Sequence, residues 1–507
     1  MVIDNNRRLN SSTNDLLVLL LAGLFLLLGI GAFGILVSNI SDAVGLAQAD
    51  EAFGTTLLRF LNIYGIILPL LLIGFGIFLI LLGTRLFRRE ARAAAWARQV
   101  LLWAIVALVV LVIQAVVELL TQPGATILDT LPFMLIGVLA AAGYWWLGKN
   151  MHLFQGVETL SEASSRAAWN LLVPTIIVLI AVAARPLERT FIASLTDQRF
   201  ASPREVSFVS FSNYARLLAI RIDAIPCVRD EAGACATRVD GSIQFARPRD
   251  VLDPSYGERR FREVSGVNIG ETRIILSAID RDFIQSIGNT LYFTVASVTL
   301  ELILGLFIAM VINSKFSGRG LMRAAMLVPW AIPTVVSARL WEIMLRDNQS
   351  GVINHFFVNI GLFPASQAWL ANPDLQIPAL ILIDVWKTTP FMALVLLAGL
   401  QVIPNDLYEA ADVDGASKVR QFFSLTLPLL RPAIAVALVF RTLDAIRVFD
   451  LFQVLLGRGK LSMATYNYET LVSNQELGYA SAIGVLIFVI ILLFTVIYVR
   501  VLGVNRE

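Results

Sequence analysis

Four charged residues stand three apart in one apolar stretch: Arg441, Asp444, Arg447 and Asp450. Another apolar stretch carries Asp384, Trp386 and Lys387, and others hold Glu301, Arg339 and Glu342. Ionised side chains among apolar residues are costly to desolvate, so they face a wet cavity or a partner. Opposite charges three residues apart on a helix can pair. Two readings of the 441–450 row fit equally. In one, it is a hydrophilic wall whose carboxylates accept from solute hydroxyls and whose guanidinium groups donate to them. In the other, it is a self-neutralised ladder packed against a neighbouring subunit. Trp386 has the same ambiguity, since its ring can stack on a solute or anchor the chain at a membrane interface. Arg339 and Glu342 read first as a local pair.

Covalent and metal chemistry have less support. The two histidines and two cysteines fall far from any ligand pattern, so no metal site is expected. Gly457-Arg458-Gly459-Lys460 comes nearest to a phosphate-binding loop. It lacks the spacing and the following Ser or Thr, so no nucleotide site is expected in this chain. If ATP drives the protein, another subunit hydrolyses it.

The elements that must position these residues follow from composition. Of 507 residues, 57% are hydrophobic and only 15% charged. Mean hydropathy is +0.74. Runs of about 20 apolar residues recur, each long enough to cross roughly 30 Å of hydrocarbon as a helix. In lipid the backbone must satisfy its own hydrogen bonds, and the alternation of barrel strands is absent, so an all-α polytopic membrane protein is expected. The runs are 16–40, 57–83, 100–120, 131–147, 171–184, 287–312, 321–344, 378–400, 432–456 and 479–502, which gives about ten transmembrane helices. The net charge of +2 argues against a nucleic-acid partner. The first run, read as a signal peptide, would end at Ala47-Gln48-Ala49. It is longer than a signal-peptide apolar region, so a retained helix is expected.

Arg85, Arg88, Arg89, Arg92 and Arg98 form the densest basic cluster. Short basic loops stay in the cytoplasm, which places 84–98 inside as a loop and the acidic stretch around Asp50 and Glu51 outside. Lys149, Arg166, Lys315, Arg319, Arg323, Arg500 and Arg506 then fall inside, with both termini cytoplasmic. Arg458 and Lys460 fall outside, against the rule. Glu118 reads as interfacial. Residues 196–281 are polar and outward-facing, too long for plain linker, so a small folded insert is expected. Within them Cys227 and Cys235 enclose a short loop that is either bridged by a disulfide in an oxidising compartment or left as two thiols.

One polar stretch is expected inside, between two apolar runs: 409–432, EAADVDGASKVRQFFSLTLPLLRP. Gly415 can take a positive φ and permit a sharp turn between two helices. Pro428 and Pro432 are expected to stop the second helix and set the entry angle of the next span.

These residues resemble a known family, the membrane-spanning permease subunits of binding-protein-dependent ABC importers. Its cytoplasmic signature is matched by Glu409-Ala410-Ala411, Asp414-Gly415-Ala416, Phe422, Leu425, Leu427-Pro428 and Pro432. Stretches from Phe283, Met326 and Val385, together with FVSFSNYARL at 208–217, look like the carbohydrate-import branch. The plan is similar to the maltose-type larger permease subunit, though with more leading helices and a smaller insert. The resemblance implies four N-terminal helices over 1–170, a first core helix and exit over 171–217, an extracytoplasmic insert over 218–282 and the remaining core over 283–507. It further implies that Glu409, Ala410, Ala411, Asp412, Asp414, Gly415, Ala416 and Pro428 couple to an ATPase. Glu409 and Asp412 would meet a basic groove wall, with the alanines allowing close approach.

The implied partners are a second permease in a heterodimer, two copies of an ATPase that bind ATP and Mg, and an extracytoplasmic sugar-binding protein. The implied location is the cell (inner) membrane. The path would be lined by Asp384, Trp386, Lys387, Arg441, Asp444, Arg447 and Asp450. The chain itself would be a transport subunit with no cofactor of its own. The alternatives are the same machine carrying glycerol phosphate or a polyol, an ion-driven secondary carrier, and a membrane sensor.

Overall fold

A computed structural model describes residues 2–45, 61, 65–121, 131–154, 160–179, 183–204, 206–230, 234–238, 241–252, 261–314, 316–348 and 350–501. The expected acidic loop at Asp50 and Glu51, Lys315, and Arg506 lie outside these residues. The side chains of Glu118 and Arg166 lie outside them too. The chain forms two compact units, Met1–Ile192 and Ala193–Glu507.

The first unit is helical: α1 Val2–Gly45, α2 Ile67–Phe87, α3 Ala91–Thr121, α4 Leu131–Lys149, α5 Leu160–Leu179 and α6 Arg185–Ser194. Its core joins Val18, Ala22 and Phe25 of α1 to Leu79, Leu82 and Leu86 of α2, with Ala94, Ala97 and Leu101 of α3. Small residues at such contacts let helices approach closely in lipid, where packing replaces the hydrophobic effect. The basic cluster is not the loop expected at 84–98. Only residues 88–90 form the turn, and Arg92 and Arg98 stand on α3. The run Ala93-Ala94-Ala95 favours helix strongly enough to begin α3 close to the turn. Arg89, at φ +58, pairs with Asp15 of α1 at 2.6 Å. Arg98 lies over the Tyr144 ring, 4.5 Å from its centre.

The second unit opens with α7 (Ser212–Leu218) and a three-stranded antiparallel sheet, β1 Ile220–Pro226, β2 Arg262–Ile269 and β3 Thr272–Ala278, in the order β1-β3-β2. The sheet fills the expected insert. Cys227 Sγ and Cys235 Sγ stand at disulfide bonding distance, with their Cα atoms 5.6 Å apart. The sheet leads directly into α8, Arg281–Asn313. Asp280 caps that helix by accepting from Phe283 N at 3.0 Å, and also accepts from Tyr466 Oη at 2.7 Å and Tyr479 Oη at 2.6 Å. Burial, reinforced by the Asp280 carboxylate, holds the Tyr466 phenol well above its ordinary pKa.

Beyond α8 come α9 Arg319–Ala331, α10 Thr334–Met344, α11 Val352–Asn359, α12 Pro373–Val402, α13 Asn405–Val413, α14 Lys418–Leu429, α15 Arg431–Ile446, α16 Asp450–Leu455, α17 Met463–Tyr468 and α18 Leu477–Val501. Among the described residues five helices are long and apolar enough to cross a membrane, or up to seven if two bent pairs each count as one span. The expected span 321–344 is one such pair, bent by 90° between α9 and α10. Pro333, which has no N–H to continue the ladder, sits at the break. The central helix is α12, 72% buried over its span window against 17–33% for the other four long spans. It packs against α8, where a Cβ on Gly305 would come within 2.8 Å of Met392 Cγ, so only glycine permits that approach.

Candidate functional site

Two polar constructions stand out in the second unit. The first is the hairpin α13–α14. Helix α13 ends in a Schellman arrangement: Gly415 at φ +72, Gly415 N donating to Asp412 O at 3.1 Å, and Ala416 N to Ala411 O at 2.9 Å. Ser417 then caps α14 by accepting from Arg420 N at 3.4 Å. Lys418 Nζ reaches back to both oxygens of Asp412, at 2.7 and 2.9 Å, and Gln421 Nε2 donates to Asp412 Oδ1 at 2.5 Å and Ala416 O at 3.0 Å. The hydrogen bond from Lys418, then that from Gln421, holds the Asp412 carboxyl below the ordinary carboxylate range. Glu409, Ala410 and Asp414 are exposed, and Val413 is 88% exposed.

Asp412 joins the two helices while its side chain stays half exposed. One expectation changes here. Pro428 does not stop α14; one wide π turn at residues 422–426 precedes it and the helix continues to Leu429. A wider turn accommodates a residue that has no N–H and crowds the carbonyl four residues earlier. The next span starts at Arg431, with Pro432 in its first turn and a bend of 65° between the two.

The second construction is buried. Arg441 of α15, 2% exposed, meets carboxylates from three helical positions. Its Nε lies 2.5 Å from Glu301 Oε2 of α8, and its Nη1 2.7 Å from Asp444 Oδ2 one turn along α15. Its Nη2 reaches Glu301 Oε1 at 3.0 Å and also pairs closely with Asp384 of α12. Thr388 Oγ1 donates to Glu301 Oε1 at 2.6 Å. A planar guanidinium with five donors in a fixed fork suits this task in a way an ammonium does not. Glu301 is wholly buried, whereas the Asp444 side chain is 71% exposed, so the cluster comes to the surface at Asp444.

Lys387, one turn from Asp384, does something else. Its Nζ donates to Trp330 O at 3.3 Å and Ile332 O at 2.5 Å, the carbonyls at the α9–α10 break. An interrupted helix in lipid must have its freed carbonyls satisfied, and Lys387 does that.

A model of the family described as binding-protein-dependent transport system inner membrane component matches residues 301–503. The trehalose/maltose transport system permease protein MalF of Thermococcus litoralis is 47% identical over 239 residues, 46% of this chain and 78% of that protein. The chain belongs to this family. The trehalose transport system permease protein SugA of Mycobacterium tuberculosis is 32% identical over 67% of this chain and 90% of its own length. The sulfoquinovosyl glycerol transport system permease protein SmoG of Agrobacterium fabrum is 39% identical over 44% of this chain and 73% of its own. The protein is therefore an ABC importer permease of the inner membrane, and both polar constructions lie within its matched region.

The permease gathers only part of the expected row. Arg441, Asp444 and Asp384 meet, joined by Glu301. Arg447 and Asp450 do not continue them, because α15 ends at Ile446 and α16 begins at Asp450. Arg447 is exposed, its Nε donating to Leu443 O at 2.9 Å, and Asp450 sits in the first turn of α16, where a negative charge suits the helix end. Ser462 Oγ donates to Val448 O, at the break, at 2.7 Å. Trp386 is part-exposed and meets Trp341 edge to face at 5.5 Å. Arg339 and Glu342 form the local pair, at 2.6 Å. Thr388 and the carbonyls held by Lys387 had no signal in the sequence.

Proposed function

We propose that this permease lines half of a translocation path for a sugar and takes its energy from a separate ATPase docked on the 405–429 hairpin. The observation that carries this reading is the hairpin's construction. Its fold is held by its own contacts, from Asp412 to Lys418 and Gln421, while Glu409, Ala410, Asp414 and Val413 stay outward for a partner. The working unit is a heterodimer with a second permease, two ATPase copies that bind ATP and Mg, and an extracytoplasmic sugar-binding protein. In it the chain crosses the membrane about ten times, with both termini cytoplasmic and the 218–282 insert outside. Four leading helices over 1–170 precede a core of 171–217 and 283–507. Closure of the ATPases would draw the hairpins together and rotate the helices as rigid bodies.

The names of the relatives MalF and SugA support a sugar as cargo. Within the path, Asp444 is the group of the buried cluster that a solute would meet. Arg441 is committed to three carboxylates, so the cluster turns a carboxylate rather than a cation outward, which favours a hydroxyl-bearing neutral cargo over a phosphate.

Uptake of labelled trehalose and maltose by the reconstituted complex, measured beside ATP hydrolysis, tests both halves. Glu409→Lys should leave the complex assembled while uptake falls at least tenfold per ATP hydrolysed. Asp444→Asn should weaken sugar-dependent uptake without altering basal ATP hydrolysis. Unchanged uptake in Glu409→Lys would remove the hairpin from the coupling route.

A further inference from the structure

The first unit holds a cavity of about 320 Å³ between the end of α2 and the start of α3. Its walls divide by chemistry. Arg85 and Arg92 supply guanidinium groups at one end, and Phe78, Leu81, Leu82 and Trp96 line the rest. We propose that this cavity binds the phosphate headgroup and upper acyl chain of an anionic phospholipid of the cytoplasmic leaflet.

Three observations support a lipid rather than a free anion. First, the apolar wall is continuous with a membrane face. Phe75 and Leu81 are exposed on the span 69–87, which is long and apolar enough to cross a bilayer. From Phe78 to Arg85 is two helical turns, about 10 Å at the usual rise per residue, so the guanidinium groups sit one acyl-chain segment above the apolar floor. A free phosphate would use the arginines and leave that floor unfilled.

Second, the local charge is one-sided. Residues 84–98 carry five arginines against one acid, Glu90. Arg89 is paired with Asp15, and Arg98 lies over Tyr144. Each guanidinium has five donors and keeps its charge whatever else it contacts. Third, this basic turn lies on the side that positive residues assign to the cytoplasm, and that leaflet carries the anionic lipids. Phe78 and Trp96 meet edge to face at 6.3 Å, giving the cavity a rigid aromatic back wall. The leading helices, which have no part in the matched family region, would thereby sense or require an anionic membrane.

Native mass spectrometry of the whole purified transporter, loaded with phosphatidylglycerol or phosphatidylcholine, tests this. The wild type should hold at least one phosphatidylglycerol more tightly than the Arg85→Gln/Arg92→Gln variant, by about 10- to 30-fold for two removed basic charges. Arg88→Gln, which removes a neighbouring charge outside the cavity, should hold it nearly as well as wild type. Phosphatidylcholine should be lost equally from all three, and millimolar inorganic phosphate should not displace the bound lipid. Equal retention of phosphatidylglycerol by wild type and double variant would overturn the proposal, as would displacement by inorganic phosphate. Should the double variant fail to assemble, quenching by brominated lipid in the wild type and in Trp96→Phe replaces it. The part of the quenching lost with Trp96 should be at least twofold greater for brominated phosphatidylglycerol than for brominated phosphatidylcholine, and equality would overturn the proposal.

Discussion

The hairpin and the buried charge cluster both use carboxylates and basic groups, yet they are built in opposite ways. The hairpin's contacts are local: Asp412, Lys418 and Gln421 lie within nine residues of one another, and the side chains of the Asp412–Lys418 pair are exposed. The cluster's contacts are long-range, with Arg441 reaching 140 residues back to Glu301 and 57 back to Asp384. Water screens the first and is excluded from most of the second. An exposed ion pair contributes little, whereas stripping one partner from a buried set leaves an uncompensated charge. The lesson is that the hairpin is a shape held by a turn and presented to a partner, while the cluster fixes how three helices of the permease meet.

The largest expected effect is at the cluster. Arg441→Ala should destabilise the permease by about 3–5 kcal/mol, because Glu301 and Asp384 are left buried and unpaired. A marked fall in the thermal midpoint of the purified complex would register it. The triple variant Arg441→Met/Glu301→Leu/Asp384→Leu should recover much of that loss, since no charge remains to desolvate. If the triple variant melts as low as the single one, the cluster is not behaving as a buried charge set.

Next comes Lys387→Met, which keeps the stem and removes the ammonium from two freed carbonyls. A loss of about 1–3 kcal/mol is expected, seen as faster hydrogen exchange at 330–337 around the α9–α10 break. Uniform exchange there would mean that Lys387 does not hold the break together.

At the hairpin, Gly415→Ala meets no neighbour within 4 Å but must hold φ +72. The cost should be about 1–2 kcal/mol, confined to the turn, with uptake lost before assembly is. A global drop in stability equal to that of Arg441→Ala would erase the contrast between the two regions.

The smallest effect is the pH dependence of the Asp412 tether. Its carboxyl is depressed in the folded hairpin, so the stabilisation is complete above the ordinary carboxylate value of about 3.9 and fades as pH falls through the depressed one. Protection of 412–421 against exchange, corrected for intrinsic rates, should therefore be flat from about pH 5 to pH 8. A loss of protection within that window would mean that another group holds the hairpin.

How much of this was legible beforehand depended on the range of the interaction. The apolar runs, the positive φ of Gly415 and the turn after Asp414 are local properties of neighbouring residues, and the chain adopts them as composition and turn chemistry require. The pair Arg441 and Asp444 was readable for the same reason, one helical turn being enough to bring them together. Extending that period to Arg447 and Asp450 failed because helix continuity is decided by packing, and α15 gives way at Val448, whose carbonyl Ser462 holds. Pro428 likewise passed through a helix that could widen by one residue.

By itself, then, the sequence determined the membrane class, the polar hairpin and its turn, and the folded insert. Only the tertiary structure decided which carboxylates surround Arg441, that Lys387 serves a broken helix, and that Arg85 and Arg92 frame one cavity. Those partners come from different segments, and side-chain identity along a chain does not carry the rotation and depth at which helices meet. That information exists once the helices are packed, when burial makes each unpaired charge too costly to leave alone.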